Sequence, residues 1–98
     1  MNKIIFTAPV LRTNITKGET FTHTFTGKNL GSEIIKVKSA VKGCSCTSLE
    51  YKEEILPDTD FEVKMSVLKD HAGLFSVSVT LTFDNNQSQT LNINGKVE

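Results

Sequence analysis

The residues Phe75-Ser76-Val77-Ser78-Val79-Thr80-Leu81-Thr82-Phe83 alternate apolar and hydroxyl-bearing side chains over their whole length. Successive side chains of a β-strand point to opposite faces, so this pattern predicts one long strand with a buried apolar face and a solvated polar face. Burying a large apolar side chain stabilises a fold by about 1.5–3 kcal/mol. The apolar side chains of this stretch therefore predict the centre of a hydrophobic core.

A period of two recurs along most of the chain. It predicts strands over 20–26, 35–41, 61–67 and 91–97. The segment 4–15 predicts a further strand broken at Pro9, because proline lacks a ladder donor and favours a sheet edge or a change of sheet. The segment 48–56 is the only helical candidate. Turn-forming residues separate these segments at 17–18, 29–31, 57–58, 71–73 and 84–86.

The chain has 98 residues, near the commonest size of one domain, and 38% of them are hydrophobic. Strands without helices bury their apolar faces either as two packed sheets or as a small barrel. The regular alternation and the polar outer faces favour two sheets. We therefore predict a single domain over 1–98, an all-β, immunoglobulin-like antiparallel β-sandwich of about seven to eight strands.

The charge pattern argues against a nucleic-acid partner. Basic and acidic residues number 11 each, which gives a net charge of zero, whereas a nucleic-acid binder usually concentrates basic residues. The densest basic group, Lys36, Lys38 and Lys42, is typical of the solvated face of a strand. Near-zero charge is tolerable for a subunit that is held inside an assembly.

No targeting segment is evident. No stretch approaches the roughly 18 apolar residues that cross a bilayer, so we expect no membrane partner. The start of the chain, 1–7, is too short for the apolar core of a signal peptide, which runs about 7–15 residues. We therefore expect no export by that route, and a virion or the cytoplasm is the favoured location.

Cys44-Ser45-Cys46-Thr47 is the one unusual motif. In the simplest interpretation, Cys44 and Cys46 are small buried apolar residues with free thiols. A second interpretation is a redox pair, which needs a turn, because same-face Cα atoms of an extended strand lie roughly 6.5–7 Å apart, at the limit for a disulfide. The third is a metal site, although two thiolates are too few for structural zinc. Cys44 and Cys46 are therefore the only candidate thiol site.

The two histidines do not indicate catalysis. His23 alternates with Phe21 and Phe25 on a face predicted to be internal, and His71 follows Asp70 in a predicted turn. A nucleophile needs a positioned base and a group that orients this base, and no spacing in the sequence provides them. We predict that the protein is not an enzyme and has no catalytic residue, cofactor or metal ligand.

Several motifs, taken in order, resemble a known family: Asn29-x-Gly31, Ile35-x-Val37, Cys44-Ser45-Cys46-Thr47, Ile55-Leu56-Pro57, Gly73-x-Phe75 and Ile93-x-Gly95-x-Val97. Over roughly residues 17–98 the chain resembles family 1573 of bacterial domains of unknown function, which is related to the immunoglobulin-like ASH and major-sperm-protein type domains. Family members usually carry glycine where this chain has Ser45 and Asp58, and many relatives are exported. The resemblance implies an immunoglobulin-like fold used for protein–protein contact and supplies no catalytic residues.

We expect a non-enzymatic structural or protein-interaction module, a small accessory or decoration subunit of a large assembly such as a phage virion. The alternatives are a free bacterial immunoglobulin-like protein-binding domain, periplasmic or cytoplasmic, and a thiol-based metal or redox protein that uses the Cys-Ser-Cys motif. The partner would contact an edge strand over 3–7 or the loops 30–33 and 69–74. The predicted contact residues are Lys3, Ile5, Thr7, Leu30, Ser32, Asp70 and His71.

Overall fold

The computed structural model describes residues 4–98 of the chain. These residues form nine strands and no helix. In chain order the strands are β1 (Ile4–Phe6), β2 (Val10–Ile15), β3 (Thr20–Asn29), β4 (Ile35–Lys42), β5 (Thr47–Tyr51), β6 (Glu54–Ile55), β7 (Asp60–Leu68), β8 (Gly73–Phe83) and β9 (Ser88–Val97). Within this part of the chain there is accordingly no helix able to span a membrane.

The strands form two sheets. The four-stranded sheet has the order β1-β3-β7-β5, and the five-stranded sheet has the order β2-β9-β8-β4-β6. The predicted all-β sandwich is confirmed. Nine strands are found instead of seven to eight because the segment 4–15 forms two strands, β1 and β2, and the segment considered helical contributes two short ones, β5 and β6.

The chain changes sheets at Pro9, which is one of the two outcomes that the sequence favoured there. β1 pairs antiparallel with β3 in the four-stranded sheet, where Ile4 lies opposite Asn29. β2 then pairs with β9 in the five-stranded sheet, with Val10 opposite Asn92. This second pairing is parallel, so the sandwich is not antiparallel throughout. The β2–β9 ladder joins two strands that run in the same direction from distant parts of the sequence.

The core lies between the two sheets and is centred on β8. β8 has β9 on one side and β4 on the other. Its apolar residues from Phe75 to Phe83 are buried, and Val79 and Leu81 are fully excluded from solvent. The four-stranded sheet contributes Met65 of β7, which is also fully buried. The alternating stretch is thus a central strand with one face in the core.

The helical candidate over 48–56 is wrong. This segment forms β5, which pairs with β7 from Thr47 opposite Val67, and then β6, which pairs with β4. Ile55 of β6 is 2% exposed, whereas the next residue, Leu56, is 54% exposed. The apolar residues of the segment fit no single period because they belong to two short strands in different sheets.

Loops collect at two ends of the sandwich, which we call the cysteine end and the hairpin end. The cysteine end comprises the turn 16–19 and the loops 43–46 and 69–72. There, Gly18 N–H donates to Lys69 O at 2.9 Å, and Leu68 N–H donates to Cys46 O at 3.1 Å. The hairpin end comprises the loops 30–34 and 56–59 and the turn 84–87. The turn predicted at 84–86 is confirmed by the positive φ of 66° at Asn86.

Asn29 holds the hairpin end together. Its side chain is fully buried, and its Nδ2 donates to Glu33 O at 3.0 Å and to Ile55 O at 3.2 Å. Its Oδ1 accepts a hydrogen bond from Gly31 N–H at 2.9 Å. The motif Asn29-x-Gly31 is therefore a structural one, in which a buried amide joins the β3–β4 loop to the end of β6.

Candidate functional site

Cys44 and Cys46 form a disulfide in the turn between β4 and β5. Their Cα atoms lie 5.2 Å apart, closer than an extended strand would place them. The interpretation as two buried free thiols is therefore wrong, because residues 43–46 form a turn and bring the sulfurs together. Both cysteines are half-buried, and Ser45 between them is exposed.

The disulfide contributes little as a crosslink of the unfolded chain. The two cysteines are separated by 2 in the sequence. In the chain-entropy description, so short a loop stabilises the fold by about 1.6 kcal/mol, compared with about 3 kcal/mol for a loop of 15 residues. The bond is therefore not what holds the two sheets together.

Backbone hydrogen bonds fix this turn on both sides. Gly43 N–H donates to Ser78 O of β8 at 2.9 Å, which attaches the turn to the five-stranded sheet. Thr47 N–H donates to Cys44 O at 3.3 Å, and the bond from Leu68 N–H to Cys46 O attaches the turn to the four-stranded sheet. The turn is thus held between the two sheets by bonds that do not involve sulfur.

Two donors converge on one sulfur atom. Cys46 N–H lies 3.2 Å from Cys44 Sγ, and Lys69 Nζ lies 3.8 Å from the same atom. Cys46 Sγ has a different neighbour, the Thr47 hydroxyl at 3.8 Å. The two sulfurs are therefore electrostatically unequal, since the lysine cation faces Cys44.

The histidines lie in two different environments. His23 is half-buried, and its ring meets the ring of Phe25 edge to face, with centroids 4.7 Å apart. His71 is exposed in the β7–β8 loop. Within residues 4–98, no three His, Cys, Asp or Glu side chains are grouped closely enough to hold a metal ion.

The predicted contact residues of the two loops lie at opposite ends of the sandwich. Asp70 and His71 line a shallow depression of about 330 Å³ at the cysteine end, beside Leu74, which is 90% exposed. Leu30 and Ser32 are exposed at the hairpin end. The two loops are therefore separate candidate contacts.

β1 forms one part of the edge of the four-stranded sheet. Ile5 is 48% exposed, and Thr7 N–H donates to Thr26 O at 3.0 Å just after the strand. Gln87 fixes the start of β1, because its Oε1 accepts from Ile4 N–H at 3.0 Å and its Nε2 donates to Ile4 O at 2.6 Å. Lys3, the remaining predicted contact residue of this segment, lies outside the described residues.

The rest of this edge is the first half of β3, residues 20–25, which we call the uncovered half of β3. It pairs with β7 on one side. β1 reaches β3 only from Gly27 to Asn29, so no other described strand pairs with the uncovered half. Sequence reasoning missed this site, because the alternation of residues 20–26 predicts the strand but not which of its two sides lacks a neighbour.

The sequence model of a protein family described as "Protein of unknown function (DUF1573)" matches residues 9–97. The chain belongs to this family. The matched range begins before residue 17, where the resemblance in the sequence began, and so includes β2 of the DUF1573 domain. No curated protein matches the sequence.

Solved structures with the same fold come from bacteria and from human. A protein of unknown function from Porphyromonas gingivalis W83 superposes with a TM-score of 0.79 at 10% identity, covering 95% of this chain and 46% of that one. The ASH / PapD-like domain 7 of human CEP192 superposes with a TM-score of 0.82 at 9% identity, covering 98% of this chain and 85% of that one. The VesB protease of Vibrio cholerae superposes with a TM-score of 0.72 at 13% identity, covering 99% of this chain and 32% of that one.

These likenesses show the fold alone, because the sequence identities are so low. The DUF1573 domain spans less than half of the Porphyromonas chain and about a third of the VesB chain. It matches most of the human ASH / PapD-like domain. The immunoglobulin-like, ASH-related fold that the sequence resemblance implied is therefore confirmed.

Proposed function

We propose that this DUF1573 domain is a non-enzymatic protein-interaction module that binds an extended segment of a protein partner along the uncovered half of β3. The observation that supports this most is the one-sided pairing of residues 20–25. Strand addition to an exposed sheet edge is a recurring mode of recognition, because main-chain hydrogen bonds supply affinity and alternate side chains supply specificity.

The backbone groups available to a partner follow from the alternation of an antiparallel ladder. Thr26 O faces the open side of β3, where it accepts from Thr7 N–H. The N–H and C=O groups of one residue point to the same side, and this side alternates with each residue. The groups that face the open side of the uncovered half therefore belong to Thr20, Thr22 and Thr24. They offer up to six main-chain hydrogen bonds, each worth about 0.5–1.5 kcal/mol net.

The uncovered half of β3 lacks the features that usually protect a sheet edge. Natural edges are blunted by charges, prolines, bulges or very short strands. Residues 20–25 read Thr-Phe-Thr-His-Thr-Phe, with no acidic residue, lysine, arginine or proline. In contrast, β2 follows Pro9 and carries Arg12, β5 carries Glu50, and β6 begins with Glu54. An unprotected edge in a chain of zero net charge is best explained by a partner that covers it.

The inner surface next to this edge, between the two sheets, is partly apolar. Phe21 and His23 point inward but are only half-buried, whereas Phe25 is 1% exposed. The segment 7–9 carries the chain from this edge to the edge of the other sheet, so Leu11 of β2, which packs against the core, lies on the same side. A strand added here would bury its own inward side chains over these partly exposed rings.

The partner that we propose is a subunit of a larger assembly, in which the domain is an accessory subunit in a virion or in the cytoplasm. A permanently covered edge and the absence of net charge both suit such a position. A phage particle is one example of such an assembly. None of the similar solved structures named above is a virion protein. A free binding domain of the same fold would use the same edge.

Other predicted contact residues would extend the contact. Ile5 and Thr7 lie next to the uncovered half along the same edge, and we propose that they border the bound segment. Asp70 and His71 are at the cysteine end, where the uncovered half begins, since Thr20 lies opposite Leu68.

A short peptide tests the proposed edge. A synthetic peptide of alternating threonine and valine should shift the backbone NMR signals of Thr20, Thr22 and Thr24 at millimolar concentration and slow the hydrogen exchange of their amides. The same peptide with every amide N-methylated should lose this effect, because neither of its edges can donate to the ladder.

Two variants at one position provide the control. Thr22→Pro removes a donor that faces the open side without removing a bond to β7, and it should abolish peptide binding. Thr22→Val keeps the backbone donor and should bind the peptide as the wild type does. The proposal is wrong if the peptide perturbs another edge, or if Thr22→Pro binds it as well as Thr22→Val does.

A further inference from the structure

The half-buried disulfide of the cysteine end is not needed for binding at the sheet edge, and its two sulfurs have unequal surroundings. We propose that Cys44–Cys46 is a thiol–disulfide exchange site that takes two electrons from a dithiol, on a protein or a small molecule, with Cys44 as the sulfur that leaves first. This is a second activity, independent of the binding function proposed above.

The surroundings of Cys44 Sγ favour its departure as a thiolate. A thiol with a more stable thiolate leaves faster in exchange, and a nearby cation or hydrogen-bond donor stabilises the thiolate. Lys69 Nζ at 3.8 Å and Cys46 N–H at 3.2 Å both face this sulfur. Among residues 4–98, the polar neighbour of Cys46 Sγ is the Thr47 hydroxyl, at 3.8 Å. The incoming thiolate is therefore directed to Cys46 Sγ.

The reaction balances without any further reagent. A thiolate of the dithiol attacks Cys46 Sγ, the bond between Cys46 Sγ and Cys44 Sγ breaks, and Cys44 leaves with the electron pair as a thiolate beside Lys69. The second thiolate of the dithiol then attacks the first dithiol sulfur, the bond from that sulfur to Cys46 Sγ breaks, and Cys46 leaves as a thiolate. The dithiol is oxidised to a disulfide, the protein is reduced by two electrons, and the two protons of the dithiol pass to the protein thiolates or to solvent.

The turn is built to survive the loss of the bond. The bonds from Gly43 N–H to Ser78 O and from Leu68 N–H to Cys46 O hold the turn to both sheets without using sulfur. Reduction therefore leaves the two thiols close together, which allows the disulfide to re-form. The exposed Ser45 and the half-buried cysteines leave the site open to a partner.

Reduction kinetics of the folded protein test the site. With dithiothreitol as the probe and no denaturant, the disulfide should be reduced much faster than the protein unfolds. The unfolding rate is measured separately by stopped-flow dilution into urea and extrapolated to zero urea. Reduction that proceeds only at the unfolding rate would overturn the proposal.

The role of the lysine is tested by a matched pair of variants. Lys69→Met should slow reduction about threefold to tenfold, because it removes the cation beside the leaving sulfur. Lys64→Met makes the same change on β7, where the lysine pairs with Glu50 at 3.9 Å, and it should keep the wild-type rate. Equal rates for the two variants would overturn the assignment of Cys44 as the leaving sulfur.

Alkylation of the reduced protein provides an independent measurement. With iodoacetamide at limiting amounts, peptide mass spectrometry should find Cys44 modified before Cys46, because the thiolate is the reactive form. Lys69→Met should raise the pH at which Cys44 reacts half-maximally, and Lys64→Met should not. Preferential modification of Cys46 in the wild type would contradict the proposed order of attack.

Discussion

Replacing Asn29 with alanine should lower the free energy of unfolding by about 3 kcal/mol. The change removes three hydrogen bonds of a fully buried amide, each worth about 0.5–1.5 kcal/mol net. It also removes the side-chain donor that reaches Ile55 O, the acceptor of the most buried of these bonds. A domain of this size has a total stability of about 5–15 kcal/mol, so the loss is a large share of it.

Urea unfolding followed by circular dichroism measures this loss, and the melting temperature should fall by about 12–24 °C, since 1 kcal/mol corresponds to about 4–8 °C in a small domain. Asn92→Ala is the matched control. Its Nδ2 also donates two bonds, to Ser76 Oγ and Val77 O, both at 3.0 Å, but on the outer face of the sheet. It should cost about 1 kcal/mol or less. If Asn29→Ala and Asn92→Ala differ by less than about 1 kcal/mol, the structural role given to Asn29 is refuted.

Two further predictions concern backbone with positive φ. Gly95→Ala should destabilise the domain by more than about 3 kcal/mol, because φ is 153° and the new Cβ would overlap the Thr13 carbonyl. Gly73→Ala, with φ of 133° and no atom within 4 Å of the new Cβ, should cost about 1–2 kcal/mol, and similar losses for both in thermal unfolding would contradict the overlap. Asp58→Ala should cost about 1 kcal/mol, because alanine tolerates a φ of 54° less well than aspartate, whereas Asp58→Gly should be close to neutral. The exposed ion pair with Lys28 at 3.7 Å adds little, so an unchanged melting temperature for Asp58→Ala would mean that this backbone conformation carries no cost.

The sandwich could be predicted because its strands are amphipathic in the simplest way. The residues from Phe75 to Phe83 alternate without interruption, and every apolar one is buried. The break in the strand at Pro9 was also predicted correctly, because proline has no N–H to donate to a neighbouring strand in any sheet. β5 and β6 could not be predicted in this way. Their positions depend on pairing with β7 and β4, and the apolar residues of the local sequence do not follow the period of a strand.

The two candidate sites depend on geometry that sequence patterns do not contain. The motif at Cys44 and Cys46 allowed a disulfide only if the chain turned, and the turn is set by hydrogen bonds to Ser78 and from Leu68, which come from distant strands. The uncovered half of β3 follows from the length of β1, which ends at Phe6 and leaves residues 20–25 without a neighbour on that side. Both the disulfide turn and the uncovered half of β3 are therefore set by contacts between strands that are distant in the sequence.

The parallel ladder between β2 and β9 also determines when the protein can finish folding during synthesis. Val10 and Asn92, which are neighbours in this ladder, are separated by 82 positions in the sequence (92 − 10). At a translation rate of about 5–20 residues per second, β2 waits roughly 4–16 seconds on the ribosome before its partner is made. The nascent domain is incomplete for all of this time, and any truncation within β9 removes the neighbour of an early strand as well as the last strand itself.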